Sequence, residues 1–398
     1  MGLVVCCAGE TEGSMELRVS GLLLAAALLA APRTGAQSAG VSVEKQIAAV
    51  FDGIATDKTP GLAVLAKKNG SVLFERGYGL KELRTNSKID TKTNFRLASV
   101  TKQFTAMAVM LLVHDKKLNY ETTLGEVFPN FPDYGKRVTV RQLLNHTGGL
   151  PDYEDLMDTV EKVKGTIWSP EKQIQDAEAL ELLEKETKGK FTPGTKWDYS
   201  NSGYVVLGLI VAKISGKPYG EFLHERIFAP LKMAGTIVYQ KGKKAVPNRA
   251  YGHAKEGETF RETDQSSTSA TLGDGGVYSS VDDLSKWDDA LRNHTLLSEE
   301  EMKPALEAAK FGGAGNAVLP DDAPAGLHGV PVEYGFGWFL DPYKGHARMW
   351  HYGDTRGFKT AIQKFTKDGL TVIVLCNRTD LDPGALAMRV ADLYLAGR

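Results

Sequence analysis

The chain has 398 residues, of which 42% are hydrophobic and 24% are charged, and its formal net charge is −1 at pH 7. This composition is ordinary for a globular protein, and the length is sufficient for two packed units. A nearly neutral chain offers no broad basic surface, so we expect no nucleic-acid partner.

The first 36 residues have the layout of a secretory signal. Arg18 supplies a cation, residues 22–31 form an apolar run of Leu and Ala, and Thr34-Gly35-Ala36 offers small residues for cleavage. The run is too short to span a bilayer, although a buried helix is a second interpretation. We therefore expect residues 1–36 to be removed, leaving a periplasmic or extracellular product with no transmembrane span in the mature chain.

That product keeps Cys376 as its single cysteine, so an internal disulfide is impossible. Residues 370–376, Leu-Thr-Val-Ile-Val-Leu-Cys, form an apolar run of strand type. The sequence therefore predicts that Cys376 is a small buried hydrophobic residue rather than a catalytic thiol.

Strand patterns occur near both ends of the mature chain, with helical patterns between them. Residues 43–54 have helical periodicity, whereas residues 61–67 and 71–78 are strand-like and are joined by Asn69-Gly70, a strong hairpin signal. Residues 104–113 are almost wholly apolar and predict a buried helix. Toward the other end, the pattern predicts strands at 334–340, 347–351, 358–365 and 370–376, and a helix at 384–395.

These elements predict an α/β (α+β) fold. Its antiparallel sheet is built from both termini and flanked by helices, and a mostly helical region is inserted between the two halves. We place the sheet unit at residues 37–98 and 333–398 and the mostly helical unit at residues 99–332. A site is expected where the two units meet.

Ser99-Val100-Thr101-Lys102 is the first candidate for chemistry. Residues three apart share a helix face, so the Lys102 amine can reach the Ser99 hydroxyl. Serine becomes a nucleophile only when a base removes its proton, and lysine is a base only if burial lowers its pKa. Ser99 as a plain helix cap is the alternative. Ser169-Pro170-Glu171-Lys172 repeats the spacing, but it lies among charged residues with no apolar helix after it.

Tyr199-Ser200-Asn201 lies between a Pro-Gly loop and an apolar helical segment. The phenol of Tyr199 can act as an acid or a base if nearby cations lower its pKa, and Asn201 can hold a substrate amide or the Lys102 ammonium. The simpler alternative is that Asn201 or Ser202 caps the helix that follows.

His351-Tyr352-Gly353 ends a predicted strand. We expect His351 to hydrogen-bond Tyr199 or a substrate carboxylate, and Gly353 to let a substrate backbone lie close to the strand. The Asp354 N–H can join that of Ser99 in an oxyanion hole. A structural role for His351 is the alternative.

Other common kinds of site are missing from the sequence. It contains no Gly-x-Ser-x-Gly elbow, no His-x-His or His-Glu-x-x-His pair and no phosphate-binding Gly-x-x-x-x-Gly-Lys loop. We therefore expect no metal ion and no cofactor, and a small-molecule or peptide substrate. The sequence leaves the oligomeric state open.

Taken together, the motifs resemble the penicillin-recognising serine hydrolases, in the branch that holds class C β-lactamases, DD-peptidases and related esterases. The resemblance rests on residues 97–104, 143–151, 193–201, 275–280 and 351–358 and covers nearly the whole mature chain. It implies a β-lactamase/transpeptidase-like fold, with Ser99 as the acylated nucleophile and Lys102 as its partner. Tyr199 would be the base, and Asn201 and His351 would bind substrate. It also places Tyr153 in the cleft wall.

One motif departs from that branch. Its β-lactamases usually carry Lys-Thr-Gly, whereas this chain has His351-Tyr352-Gly353, with Arg356 as a candidate replacement cation. We therefore expect an exported serine hydrolase that acts on an ester or a D-amino-acid peptide, with weak turnover of β-lactam amides. The alternative is a penicillin-binding sensor or sequestering protein that is acylated without turnover.

Overall fold

The structure is a computed structural model that describes residues 42–312, 317–319 and 329–395. Its helices are α1 (Val43–Phe51), α2 (Lys102–His114), α3 (Leu124–Val127), α4 (Val140–Leu144), α5 (Tyr153–Lys164), α6 (Asp176–Glu184), α7 (Asn201–Ser215), α8 (Tyr219–Leu223), α9 (Val281–Arg292), α10 (Glu299–Met302) and α11 (Pro383–Leu395). Two short 3₁₀ helices, Ala98–Thr101 and Lys303–Leu306, and a π-helical turn, His224–Phe228, adjoin them. The predicted signal segment and its cleavage point lie outside the described residues.

The strands are β1 (Leu62–Lys68), β2 (Ser71–Tyr78), β3 (Leu80–Glu82), β4 (Ser87–Lys88), β5 (Phe95–Arg96), β6 (Ile237–Val238), β7 (His253–Glu256), β8 (Thr259–Glu262), β9 (Val277–Ser279), β10 (Ala317–Val318), β11 (Pro331–Val332), β12 (Arg348–Thr355), β13 (Phe358–Phe365) and β14 (Leu370–Cys376). Five of them form the main sheet in the order β12-β13-β14-β1-β2. Every pairing in it is antiparallel, and β1 joins β14 with Leu62 opposite Cys376. The predicted sheet from both ends of the mature chain is confirmed.

The side chains of β1 alternate between two hydrophobic clusters, which explains why both faces of the sheet are covered. Leu62, Val64 and Ala66 pack in one cluster with residues of α1 and α11, while Ala63 and Leu65 pack in the larger core that contains α2 and α7. Successive side chains of a strand point to opposite faces, so a continuous apolar strand requires a layer on each side. Cys376 is fully buried in the first cluster, as predicted.

The inserted region is built around α2 and α7, which pack against each other. It also contains strands: β6 and β9 form a small antiparallel sheet with β5, which lies just before the inserted region, and β7 and β8 form a hairpin. β9 pairs with β5, which immediately precedes the Ser99 segment. The division into units at residues 98/99 and 332/333 stays a prediction.

The strand predicted at residues 334–340 is wrong. This segment makes only single bridges, from Tyr334 to Phe339 and from Phe339 to Trp350. Gly335 donates its N–H to the Trp338 carbonyl, and Gly337 has a φ of +76°, so the chain turns instead of extending. Among the helices of the described residues, none combines the length and the apolarity needed to cross a bilayer.

Candidate active site

Ser99 lies in the 3₁₀ helix Ala98–Thr101, which runs directly into α2. The Leu97 N–H donates to the Val277 carbonyl and the Val277 N–H donates to Oγ1 of Thr101, so β9 fixes the segment on both sides of Ser99. Ala98 has a φ of 49°, a strained value for a residue with a side chain. Ser99 is half-buried while Ala98, Val100 and Thr101 are buried, so the segment presents the serine toward solvent.

Lys102 is the first residue of α2, and its side chain is fully buried. Its amine lies 3.0 Å from Ser99 Oγ, 2.8 Å from Asn201 Oδ1 and 3.2 Å from the Asp274 carbonyl oxygen. Burial lowers the pKa of the amine to about 8, although the carboxylates of Asp274, Asp152 and Glu154 act in the opposite direction. The amine that touches the serine therefore loses its proton far more easily than an exposed lysine.

Asn201 reaches Lys102 because another residue caps α7. Ser200 is the N-cap, and its hydroxyl accepts a hydrogen bond from the Gly203 N–H. Asn201 is the first helical residue, and its amide oxygen accepts from Lys102 at 2.8 Å. The alternative in which Asn201 or Ser202 is the cap is therefore wrong, and Asn201 contributes to the site.

Tyr199 lies inside an aromatic cluster at the boundary between α7 and the main sheet. Its ring centroid is 4.4 Å from that of His146 and 6.4 Å from that of Phe339, and the Lys102 amine lies 4.8 Å from it. Its hydroxyl is buried and makes no hydrogen bond of normal geometry with any described residue. The Ser99 side chain is near enough to lower the pKa of the phenol, but burial raises that pKa well above 10. A lowered pKa was the condition for the phenol to act as a base, and that condition is not met in the resting site.

His351 lies on β12 and is completely buried. Its Nδ1 is 2.6 Å from the Tyr352 carbonyl oxygen, so this nitrogen carries the proton, and Nε2 accepts from the Tyr334 hydroxyl at 3.1 Å. Burial, aided by the Lys102 charge, lowers the pKa of His351 to about 3, so the ring is neutral. The expected hydrogen bond to Tyr199 is absent because Tyr334 and Tyr352 engage both ring nitrogens. A contact between His351 and a substrate carboxylate stays a prediction.

Gly353 places β12 against the segment that precedes Ser99. A Cβ at Gly353 would lie 2.2 Å from the Leu97 carbonyl oxygen and 2.5 Å from Thr360 Oγ1, so no larger residue fits without a shift. The side chain of the next residue, Asp354, pairs with Lys359 at 3.4 Å. Arg356 is exposed in the turn between β12 and β13, so the alternative in which it pairs with Asp354 is not the arrangement observed.

Tyr153 begins α5 and is only 1% exposed, and its place in the cleft wall stays a prediction. Its hydroxyl lies 3.2 Å from Glu154 Oε1 and 3.3 Å from Asp274 Oδ2. Burial raises the pKa of Glu154 to about 7, and Asp152 and Asp274 add to this effect. Sequence reasoning missed this carboxylate group beside Lys102. The Asp152-Tyr153-Glu154 run was a local signal, but only the fold brings Asp274 to it.

The second Ser-x-x-Lys match has no comparable surroundings. Ser169 Oγ accepts hydrogen bonds from the backbone N–H groups of Glu171 and Lys172, which makes it the anchor of a local turn. In the part of the chain that the structure describes, no His, Cys, Asp or Glu side chains form a group of three that could hold a metal ion.

A comparison with known proteins places this site in a family. The model of the Beta-lactamase family matches residues 42–396, most of the 398-residue chain. The chain belongs to the Beta-lactamase family. It is thus a serine hydrolase of the penicillin-recognising superfamily, as the resemblance implied.

Individual members of the family and its fold give the same assignment. Penicillin-binding protein 4* of Bacillus subtilis is 30% identical over 350 residues, which cover 84% of this chain and 72% of that protein. A D-aminopeptidase of Brucella abortus is 26% identical over 321 residues, which cover 80% of this chain but 57% of that protein. The octameric penicillin-binding protein homologue from Pyrococcus abyssi superposes with a TM-score of 0.71 at 25% identity, covering 89% of this chain and 77% of that one. The predicted β-lactamase/transpeptidase-like fold is confirmed.

Proposed function

We propose that this chain is an exported hydrolase that forms an acyl-enzyme at Ser99 and acts on esters or D-amino-acid amides and peptides. One observation carries the proposal: the Lys102 amine, whose pKa burial lowers to about 8, lies 3.0 Å from Ser99 Oγ. A hydroxyl next to an amine that readily loses its proton is the arrangement that activates serine.

In the acylation step, the neutral Lys102 amine takes the proton of Ser99 while Oγ bonds to the substrate carbonyl carbon. The carbonyl oxygen becomes an oxyanion, for which the backbone N–H groups of Ser99 and Asp354 are the proposed donors. The packing of Gly353 against Leu97 supports this pairing, because it holds β12 beside the serine segment.

Tyr199 is proposed to deliver a proton to the leaving group. Its pKa lies well above 10, so the phenol enters the reaction as a neutral O–H donor. The carbon–leaving-group bond breaks as the leaving atom takes the phenol proton, and the Lys102 ammonium then returns a proton to the phenolate. Water releases the acyl group by the same steps in reverse, which restores the Ser99 hydroxyl.

The substrate class follows from what surrounds His351. β-Lactams carry a carboxylate, and a fixed cation would attract it, but His351 is neutral and its nitrogens contact Tyr334 and Tyr352. Tyr352 stands where the resemblance implies a small residue. These features support esters and D-amino-acid amides over β-lactams, and the likeness to a D-aminopeptidase supports the same substrate class.

The first experiment tests the nucleophile. Ser99→Ala should abolish hydrolysis of a 4-nitrophenyl ester and labelling by a fluorophosphonate, while Ser169→Ala, at the second Ser-x-x-Lys match, should keep both. Intact-protein mass spectrometry should show one adduct on wild type and none on Ser99→Ala. Wild-type rates in a well-folded Ser99→Ala protein would contradict the proposal.

The second experiment tests the substrate class. Hydrolysis of nitrocefin, 4-nitrophenyl esters and D-Ala-D-Ala peptides should be measured side by side, and we expect nitrocefin to be the poorest substrate. A preference for the cephalosporin by orders of magnitude would overturn the assignment. A stable adduct without turnover of any substrate would favour the sensor or sequestering protein.

Export is proposed from residues 1–36 alone. Expression of the full chain in a bacterial host should yield a product shortened at or near Ala36 and found outside the cytoplasm. Amino-terminal sequencing of that product checks the cleavage point, and an uncut cytoplasmic product would contradict export.

A further inference from the structure

The hydroxyl of Tyr153 has more hydrogen-bond acceptors than it can satisfy. The Tyr153 hydroxyl lies 3.2 Å from Glu154 Oε1, 3.3 Å from Asp274 Oδ2 and 3.3 Å from Thr271 Oγ1. A phenol has one proton to donate, so it can serve only one of the two carboxylates at a time. The other carboxylate lacks this donor.

One oxygen of the Asp274 carboxylate also lacks a hydrogen-bond donor among the described residues. The residue is 7% exposed, and its Oδ1 is buried with no hydrogen-bond partner among the described residues. Buried carboxylate oxygens are ordinarily paired, because leaving one without a donor costs free energy. Asp274 therefore keeps one carboxylate oxygen without a donor among the described residues.

Neighbouring lysines do not fill this gap. The three protons of a Lys102 ammonium are directed at Ser99 Oγ, Asn201 Oδ1 and the backbone carbonyl of Asp274, not at its carboxylate. Lys190, whose charge acts on Asp152, forms an ion pair with Asp198. Both lysines therefore already have other acceptors.

Asp152 and Asp176 are two more carboxyl groups within electrostatic reach of Asp274. Burial raises the pKa of Asp176 to about 8 and also raises that of Asp152, and Asp274 contributes to both shifts. Such shifts arise when carboxylates are held together in a desolvated place without enough positive charge. Glu154 is exposed as a residue, so the group also has a side that solvent reaches.

We propose that Glu154 and Asp274 form a cation subsite that holds the positively charged amine of the acyl donor. A primary ammonium brings three N–H donors, which the Tyr153 hydroxyl cannot provide. Lys102 bridges the subsite to the nucleophile, since its amine touches both Ser99 Oγ and the Asp274 carbonyl. The amine of an amino-acid ester or amide is two bonds from the carbonyl carbon that serine attacks, so a subsite for that amine must lie close to Ser99. The proposal rests on the proposed function and narrows its substrates to donors with an unblocked amine.

The test compares two substrates that differ only in that amine. D-Alanine 4-nitroanilide carries an ammonium group where isobutyric acid 4-nitroanilide carries a methyl group. Wild type should prefer the amine-bearing substrate, and Glu154→Gln and Asp274→Asn should each lower the ratio of the two kcat/KM values at least about tenfold. Asp155→Asn removes one charge from the same helix outside the subsite and should leave the ratio unchanged.

Two outcomes would overturn the subsite. One is a wild-type enzyme with no preference for the amine-bearing substrate. The other is a pair of variants that slow both substrates equally, because the carboxylates would then only adjust the charge of Lys102. Turnover of a neutral 4-nitrophenyl ester is measured in parallel on every protein and also reports whether Asp274→Asn is folded. If wild type hydrolyses that ester without amine preference, only the subsite fails; if Ser99 is never acylated, the proposed function fails.

Discussion

The Lys102 amine donates a hydrogen bond of 2.8 Å to Oδ1 of Asn201, which joins the first residue of α2 to the first residue of α7. An amide oxygen accepts this bond without adding a charge beside the amine. Burial can therefore keep the pKa of Lys102 near 8 while the side chain stays fixed against Ser99. The amide at position 201 thus holds the amine in place without a charge that would make it more basic.

Asn201→Asp should move the pH dependence of the reaction upward. A carboxylate in hydrogen-bond contact with the amine stabilises its charged form, so the pKa of Lys102 rises and less neutral base is present at pH 8. We expect kcat/KM for a neutral 4-nitrophenyl ester to fall at pH 8 and to recover partly at higher pH. Asn201→Ala serves as the control, because it removes the acceptor without adding a charge. An Asp variant whose profile coincides with that of wild type would contradict this role.

The wild-type enzyme should gain activity as pH rises through about 8. The reactive form of Lys102 is the neutral amine, whose fraction increases with pH across the pKa of about 8. Asp274, Asp152 and Glu154 face this amine, and deprotonation of Glu154 near pH 7 broadens the rise. His351 and His146 are neutral because burial lowers the pKa of each. Neither histidine therefore adds a titration step to the pH profile near neutrality. The check is kcat/KM for a neutral ester between pH 6 and 10, where a flat profile would exclude Lys102 as the base.

Gly353→Ala should reduce both stability and activity. The added methyl group would meet the Leu97 carbonyl oxygen at 2.2 Å and Thr360 Oγ1 at 2.5 Å, so β12 must move away from the serine segment. Overpacking of this kind costs about 1–3 kcal/mol. Gly312→Ala is the matched control, because its methyl group would come no nearer than 3.9 Å to Gly194. Denaturant unfolding and ester hydrolysis measured on both variants test this, and equal behaviour would contradict it.

His351→Gln should weaken the loss of stability in acid. The pKa of His351 is about 3 in the folded protein and near 6.5 when unfolded, so between these values only the unfolded chain binds the proton. Its contribution to stability is therefore complete above pH 6.5 and is lost as the pH falls toward 3. The variant lacks the pH-dependent contribution of His351, so its free energy of unfolding should decline less steeply as the pH falls through that window. His146 is still present and should account for part of the slope that remains. Urea unfolding at a series of pH values measures the slopes, and identical slopes would contradict the assignment.

Much of the fold could be predicted from local patterns. Apolar runs near both ends predicted the strands that became β1, β13 and β14, and Asn69-Gly70 forms the predicted turn with φ values of 50° and 82°. The prediction failed at residues 334–340. Their aromatic residues suit a strand, but the turn at Gly337 depends on close packing against Lys102, where a Cβ would lie 2.8 Å from the carbonyl oxygen. Such a contact between distant segments leaves no trace in local periodicity.

The sequence predicted which residues form the site better than it predicted how those residues contact one another. Spacing alone predicted the contact between Lys102 and Ser99, because residues three apart on a helical segment are neighbours. The partners of His351 and the burial of Tyr153 depend on how β12 and α5 pack, which one sequence does not reveal. Asp274 was missed for the same reason, since it lies far along the chain from the Asp152-Tyr153-Glu154 run that it approaches.

The pairing of β1 with β14 also bears on how the chain reaches its folded state. Leu62 must find Cys376, and until it does, the apolar strand Leu62–Lys68 has only β2 beside it. Contacts between such distant residues form slowly, and an open apolar strand edge attracts other chains in the meantime. During synthesis on the ribosome, the middle of the sheet stays incomplete until β14 has emerged. Aggregation of newly made chains therefore competes most strongly just before the final hairpin is added.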